Sequence, residues 1–141
     1  MAQNKGEVRI LPVENVTSKT LVSIIKENVT AGSVVMSDEF RSYKKLPKEG
    51  YTHLTVNHAI KEYVRTENGI SVSTNMAENF WKNLKAGIDA IYIHVSKKHL
   101  DKYCDEFSFR YNTRKLTDTE RFTLWFGCCN NKRLTYKAII A

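Results

Sequence analysis

No run in this 141-residue sequence is apolar for long enough to cross a bilayer, and its first residues, Met-Ala-Gln-Asn-Lys-Gly, carry none of the apolar core of a secretion signal. The expected setting is intracellular, the cytoplasm in a bacterium or the nucleus in a eukaryote, with no membrane partner. Cysteine is scarce: Cys104, Cys128 and Cys129 are three in all, an odd number with two adjacent. That pattern excludes a disulfide framework and a zinc-ligand set, so the thiols are expected as reduced packing residues. Internal repeats, low-complexity segments and interdomain linkers are also missing. This leaves a single domain over residues 1–141, with 128–141 as a basic tail marked by Lys132, Arg133 and Lys137. Acidic side chains are in deficit as well. Lys and Arg number 22 against 15 Asp and Glu, for a net charge of +7. Residues 1–70 hold 10 basic and 8 acidic side chains and residues 71–141 hold 12 and 7, so the excess lies mostly in the second half. A basic surface favours a polyanionic partner such as nucleic acid.

What is present alternates between strand and helix signals. Glu7 to Val13 places Val8, Ile10 and Val13 on one face, which predicts a strand. Thr17 is suited to cap a helix running to about Val29, with Leu21, Ile24, Ile25 and Val29 as its buried stripe and Gly32 as its stop. Ser33-Val34-Val35-Met36 then reads as a short, fully buried strand of the parallel kind. A strand, a helix and a strand in that order predict an α/β layer. Asp38 follows directly, at the carboxyl end of a strand where such sheets collect their chemistry, although it is equally suited to cap a short helix over Phe40 to Leu46. Pro47 to Gly50 reads as a turn and Tyr51 to Val56 as a third strand, with Leu54 and Val56 inward and His58 just beyond its end. A lone histidine there suits a phosphate or metal-bound water, but more often such a residue is structural. Glu62 to Ile70 reads as a small hairpin about Asn68-Gly69.

The chain is organised around Ser73 to Asp89. At 3.6 residues per turn Met76, Ala77, Phe80, Trp81, Leu84 and Ile88 gather on one side, and Glu78, Lys82, Lys85 and Asp89 line the other. Thr74 or Asn75 supplies the expected N-cap oxygen. A linker over Ile91 to Val95 leads to Ser96, the expected cap of a helix carrying Leu100, Tyr103, Cys104, Phe107 and Tyr111, with Arg110, Arg114 and Lys115 at its end. Thr117 and Glu120 have the spacing of a capping box that opens a last helix through Phe122, Leu124, Trp125 and Phe126 to Gly127.

Several of these pieces, in this order, resemble the DDE-type transposase domain of a group of bacterial insertion sequences and the related eukaryotic Merlin elements. The matching stretches are Ser37-Asp38-Glu39 with Tyr43, Gly50-Tyr51, Val56-Asn57-His58, Thr74 to Lys85, and Tyr92 to Leu100 running into Phe109-Arg110-Tyr111-Asn112 and Arg114. The resemblance implies an RNase H-like fold, a mixed α/β sheet flanked by helices. It also implies an acidic triad holding Mg²⁺ or Mn²⁺ and catalysing DNA strand cleavage and strand transfer. Asp38 matches the second acidic residue and Glu78 the third, both as catalytic and metal-binding residues, and Lys85 matches the basic residue two turns after Glu78. Lys82, His58, Arg110 and Arg114 are expected beside Lys85 as DNA-binding residues, with DNA as partner and room for a homo-oligomer on it. The triad's first aspartate belongs to a strand upstream of everything matched here, so an N-terminally truncated fold is expected. The alternative is a non-catalytic DNA-binding or protein-interaction remnant of a transposase.

Overall fold

The computed structural model describes residues 1–4, 6–60, 63–130, 132–133 and 135–136; Glu62 of the expected hairpin and Lys137 of the expected tail lie outside them. The element order is helix α1 (Ser18–Asn28), strand β1 (Val34–Ser37), a 3₁₀ segment (Arg41–Glu49) and strand β2 (Thr52–Thr55). A hairpin of β3 (Arg65–Glu67) and β4 (Ile70–Val72) comes next, followed by α2 (Asn75–Gly87), α3 (Leu100–Asn112) and α4 (Asp118–Cys129). Helices and short strands thus mix as an α/β chain. The sheet expected of an RNase H-like fold is not among the described residues, which hold two separate two-stranded sheets, β1–β2 parallel and β3–β4 antiparallel.

The first expected strand is the clearest departure. Glu7 to Val13 forms a single antiparallel bridge, Ala2 to Val8, in place of a strand. Its alternation still has meaning, because Val8 and Ile10 are buried while Val13 is exposed. The backbone of Val8 is satisfied by a side chain: its N–H donates to Asn112 Oδ1 at 2.8 Å, and Asn112 Nδ2 donates to its carbonyl at 2.9 Å. One carboxamide of α3 therefore supplies the two hydrogen bonds that a neighbouring strand would otherwise make.

The apolar core sits in two clusters. Val22 and Ile25 of α1 pack with Leu46 and Tyr51, joined by half-buried Val29, Val35 and Tyr43. Thr17 caps α1 as expected, its hydroxyl accepting from Thr20 N; of the expected stripe Ile25 is buried, joined by Val22 from outside it, while Leu21, Ile24 and Val29 are only half-buried. The parallel strand is likewise less covered than its apolar run predicts. With one partner strand, Val34 remains exposed and Val35 and Met36 half-buried. In the second cluster Phe80 and Leu84 of α2 meet Val8, Ile10 and Cys104, with Ile88, Leu100, Phe107 and Tyr111 around them. Cys104 is the buried packing thiol expected, its pKa pushed up by burial, whereas Cys128 and Cys129 are exposed.

Local signals held closely in three places. Asn68 and Gly69 both adopt positive φ, 51° and 77°, as a tight hairpin turn demands. Gly50 takes φ of 86° where the 3₁₀ segment hands over to β2, so the turn needs a residue without Cβ. Thr117 and Glu120 form a full capping box. The linker expected at Ile91 to Val95 is shorter, because α2 continues as a π-helical turn over Ile88–Tyr92 and ends at Ile93, whose φ is 59°. The last helix runs past Gly127 to Cys129, so the basic tail starts at Asn130. Among the described residues no helix is long and apolar enough to cross a membrane.

Candidate nucleic-acid interface

Parallel pairing decides where the site lies. In β1–β2, Ser37 is in register with Thr55, and Val56 N donates to Ser37 O at 2.9 Å, so both strands release their chains at the same edge of the sheet. Asp38 leaves β1 there, and Asn57 and His58 leave β2. Asp38 is exposed; its Oδ1 accepts from Phe40 N at 3.2 Å, holding the turn into the 3₁₀ segment. That bond reaches Phe40, the N-cap residue of the 3₁₀ segment, which has no side-chain cap, so Asp38 steadies the preceding turn and the helix-capping role its position allowed is not taken up. Asp38 also makes itself felt at Tyr43, whose phenol is pushed up chiefly by burial and further by that negative charge.

Asn57 folds the chain into a 3₁₀ turn by accepting from Ala59 N at 2.9 Å and Ile60 N at 3.3 Å. That turn presents His58 to the start of α2. Its Nε2 lies 3.1 Å from Glu78 Oε1 and 3.1 Å from Thr74 Oγ1, and the Thr74 hydroxyl donates to the same Glu78 oxygen at 2.6 Å. The arrangement calls for the His58 proton on Nε2, shared between carboxylate and hydroxyl. His58 is thus the residue that ties the end of β2 to the first turn of α2, and Asp38 does not join the His58–Glu78 pair in a group of three. The expected cap is altered accordingly. Thr74 occupies the N-cap position of α2, but its hydroxyl serves Glu78, and Ser73 Oγ accepts from Asn75 N in its place.

Beyond Glu78 the exposed side of α2 carries Trp81, Lys82 and Lys85, which line with Glu78 a shallow groove wide open to solvent. Neither lysine makes an ion pair among the described residues. Trp81 corrects the sequence expectation: predicted on the apolar side, it is 49 % exposed, while Phe80 and Leu84 are 4 % and 6 %. The reason is the width of what α2 packs against. One residue advances the helix about 100°, so Trp81 points well away from Phe80 and lies only about 40° from Lys85 around the axis. The N-terminal segment and α3 cover the Phe80–Leu84 line and stop short of it.

Arg110 and Arg114 are not brought to this groove. Arg110 pairs with Glu106 one turn earlier, and Arg114 lies over the Tyr111 ring at 4.0 Å while bonding the Tyr111 carbonyl. Tyr111 in turn stacks edgewise on Phe80 at 5.3 Å, which places both on the packed side of α2. Three contributors escaped the sequence analysis: Thr74 as the partner of Glu78, the exposed Trp81, and His53. The last sits on β2 with its Nε2 2.8 Å from Ser37 Oγ, directly before Asp38, and burial lowers its pKa. Only the β1–β2 register, pairing Val35 with His53, could have revealed it.

Asp38 and Glu78 each suit a hard cation in kind, since a carboxylate offers oxygen. In number they fall short: no group of three or more His, Cys, Asp and Glu side chains is gathered for a metal among the described residues.

Comparison with known proteins adds the family. A protein of Haemophilus influenzae described as an uncharacterized transposase-like protein is 32% identical over 112 residues, covering 79% of this chain and 86% of its own length. No solved structure matches the chain significantly. The family model of the ISXO2-like transposase domain matches residues 1–112, a span that takes in Asp38, His58, Thr74, Glu78, Lys82 and Lys85 and leaves α4 outside. On both counts the chain belongs to the ISXO2-like transposase domain family.

Proposed function

We propose that this chain is a DDE-type transposase domain that engages DNA along α2 and presents Asp38 and Glu78 to the phosphodiester backbone. The observation that carries it is the His58–Glu78 contact of 3.1 Å, which joins the first turn of α2 to the sheet edge where Asp38 emerges. Two lysines that make no ion pair among the described residues continue the same helix face, and each suits a phosphate as a point charge. The reaction class is phosphoryl transfer: water attacks a phosphodiester, and the freed 3′-hydroxyl attacks a second strand. Mg²⁺ or Mn²⁺ would supply charge neutralisation at the reacting phosphate. Asp38 and Glu78 are the residues of this chain suited to hold such an ion, although the described residues do not complete a two-metal ligand set.

The test is one preparation assayed for binding, metal uptake and cleavage. Binding to duplex DNA of arbitrary sequence should fall steeply with salt. Lys85→Ala should lower the salt slope by about 1 at unchanged fold, its effect on stability staying within about 0.5 kcal/mol because the side chain is exposed. Mn²⁺ binding should be weakened by Asp38→Asn and by Glu78→Gln, with little nicking from the 141-residue chain. Absence of salt-sensitive binding would overturn the DNA role, and Mn²⁺ binding indifferent to both substitutions would remove Asp38 and Glu78 from the metal. Strong metal-dependent nicking lost in Glu78→Gln would show a complete carboxylate set.

A further inference from the structure

From the placement of Trp81 we infer that the α2 groove holds an unpaired nucleobase of the bound DNA, stacked on the indole beside Glu78. This deepens the DNA reading above and rests on it. Trp81 is 49 % exposed, whereas Phe80 and Leu84 of the same helix are buried and Met76 is half-buried. It touches Phe80 at 6.4 Å with ring planes at 72° and has no further ring contact among the described residues. Its neighbours in the groove are Glu78 one turn before and Lys85 one turn after, with Lys82 adjacent. An aromatic face flanked by cations is the arrangement that binds single-stranded nucleic acid, the base stacking on the ring while the lysines meet the phosphates on either side.

Charge decides between a nucleic acid and a second copy as occupant. Two copies of a chain of net charge +7 meeting across this groove would bring four lysines together, whereas a DNA strand neutralises them. Pairing state follows from geometry: a base within a duplex has both faces already stacked, so an indole can receive only one that has left the stack. Such a base beside Glu78 would fix the strand's register at the sheet edge, which makes Trp81 a positioning residue.

The chain has two tryptophans, so a Trp125→Phe background leaves Trp81 as the sole indole reporter. Its emission should be quenched by a single strand of about 12 nucleotides, within the footprint of single-strand-binding folds. A blunt duplex of equal length should leave it unquenched. Trp81→Leu should weaken single-strand affinity roughly fivefold to a hundredfold, far more than duplex affinity, with circular dichroism unchanged, and Trp81→Phe should retain most of the single-strand affinity. Single-strand affinity unchanged in Trp81→Leu, with salt-sensitive duplex binding intact, overturns the stacking site and leaves the transposase role standing. No DNA binding of any kind overturns both. Sedimentation showing self-association that Trp81→Leu abolishes, with single-strand affinity unchanged, would reassign the indole to a contact between copies.

Discussion

Replacing Phe80 by alanine tests the part of the architecture on which the groove depends. Phe80 is 4 % exposed and lies where α2, the N-terminal segment and α3 meet, against Val8, Ile10, Leu84 and Cys104, with Tyr111 edge-on at 5.3 Å. Truncation removes a whole ring and leaves a cavity whose walls belong to three separate segments, so they cannot all close on it. Large-to-small changes of this kind cost about 3–5 kcal/mol, and the edge-on pair adds about 0.5–1.5 kcal/mol that alanine cannot replace. At about 2.1 cal/mol/K per residue, a chain of 141 residues unfolds with an entropy near 0.3 kcal/mol/K. The expected fall in melting temperature is therefore about 12–22 °C, read by far-ultraviolet circular dichroism, with complete loss of the cooperative transition as its extreme. A shift below about 3 °C would mean that Phe80 does not anchor α2, and the orientation that exposes Trp81 and the lysines would fall with it.

Two further outcomes probe the surroundings of the site. A Cβ added at Gly87 would stand 2.5 Å from Phe107 Cζ, so Gly87→Ala should lower the melting temperature; overpacking of about 1–3 kcal/mol outweighs a helix-propensity gain of about 1 kcal/mol, and a raised melting temperature would refute the contact. Burial holds His53 below its ordinary value of 6.5, so the unfolded chain binds that proton more readily than the folded one. The corresponding stability should be full above pH 6.5 and decline as pH falls through the folded pKa. A thermal-melt series from neutral to acid pH should show this decline, and His53→Gln should flatten part of it; identical profiles for the two proteins would count against the half-buried Ser37–His53 pair.

Sequence alone was sufficient wherever a few adjacent residues settle the matter. The Thr17 and Thr117 caps, the Asn68-Gly69 turn and the Gly50 handover all depend on side chains bonding their own backbone or on φ values that only certain residues adopt, so their chemistry is contained in short windows. The apolar periodicity of α2 placed Phe80 and Leu84 inward for the same reason, and put Glu78, Lys82 and Lys85 on the opposite side. Tertiary structure decided everything that depends on what covers a face. Val8 and Ile10 alternate like a strand, yet a carboxamide from Asn112, 104 residues away from Val8, takes the neighbouring strand's place. Trp81 has the composition of a core residue and becomes surface because none of the described elements reaches that far around the helix. The meeting of His58, Thr74 and Glu78 is of this kind too. Local sequence put each at the end of an element, but only the parallel register of β1 and β2, and the approach of α2 to their shared edge, brought the three within hydrogen-bond distance.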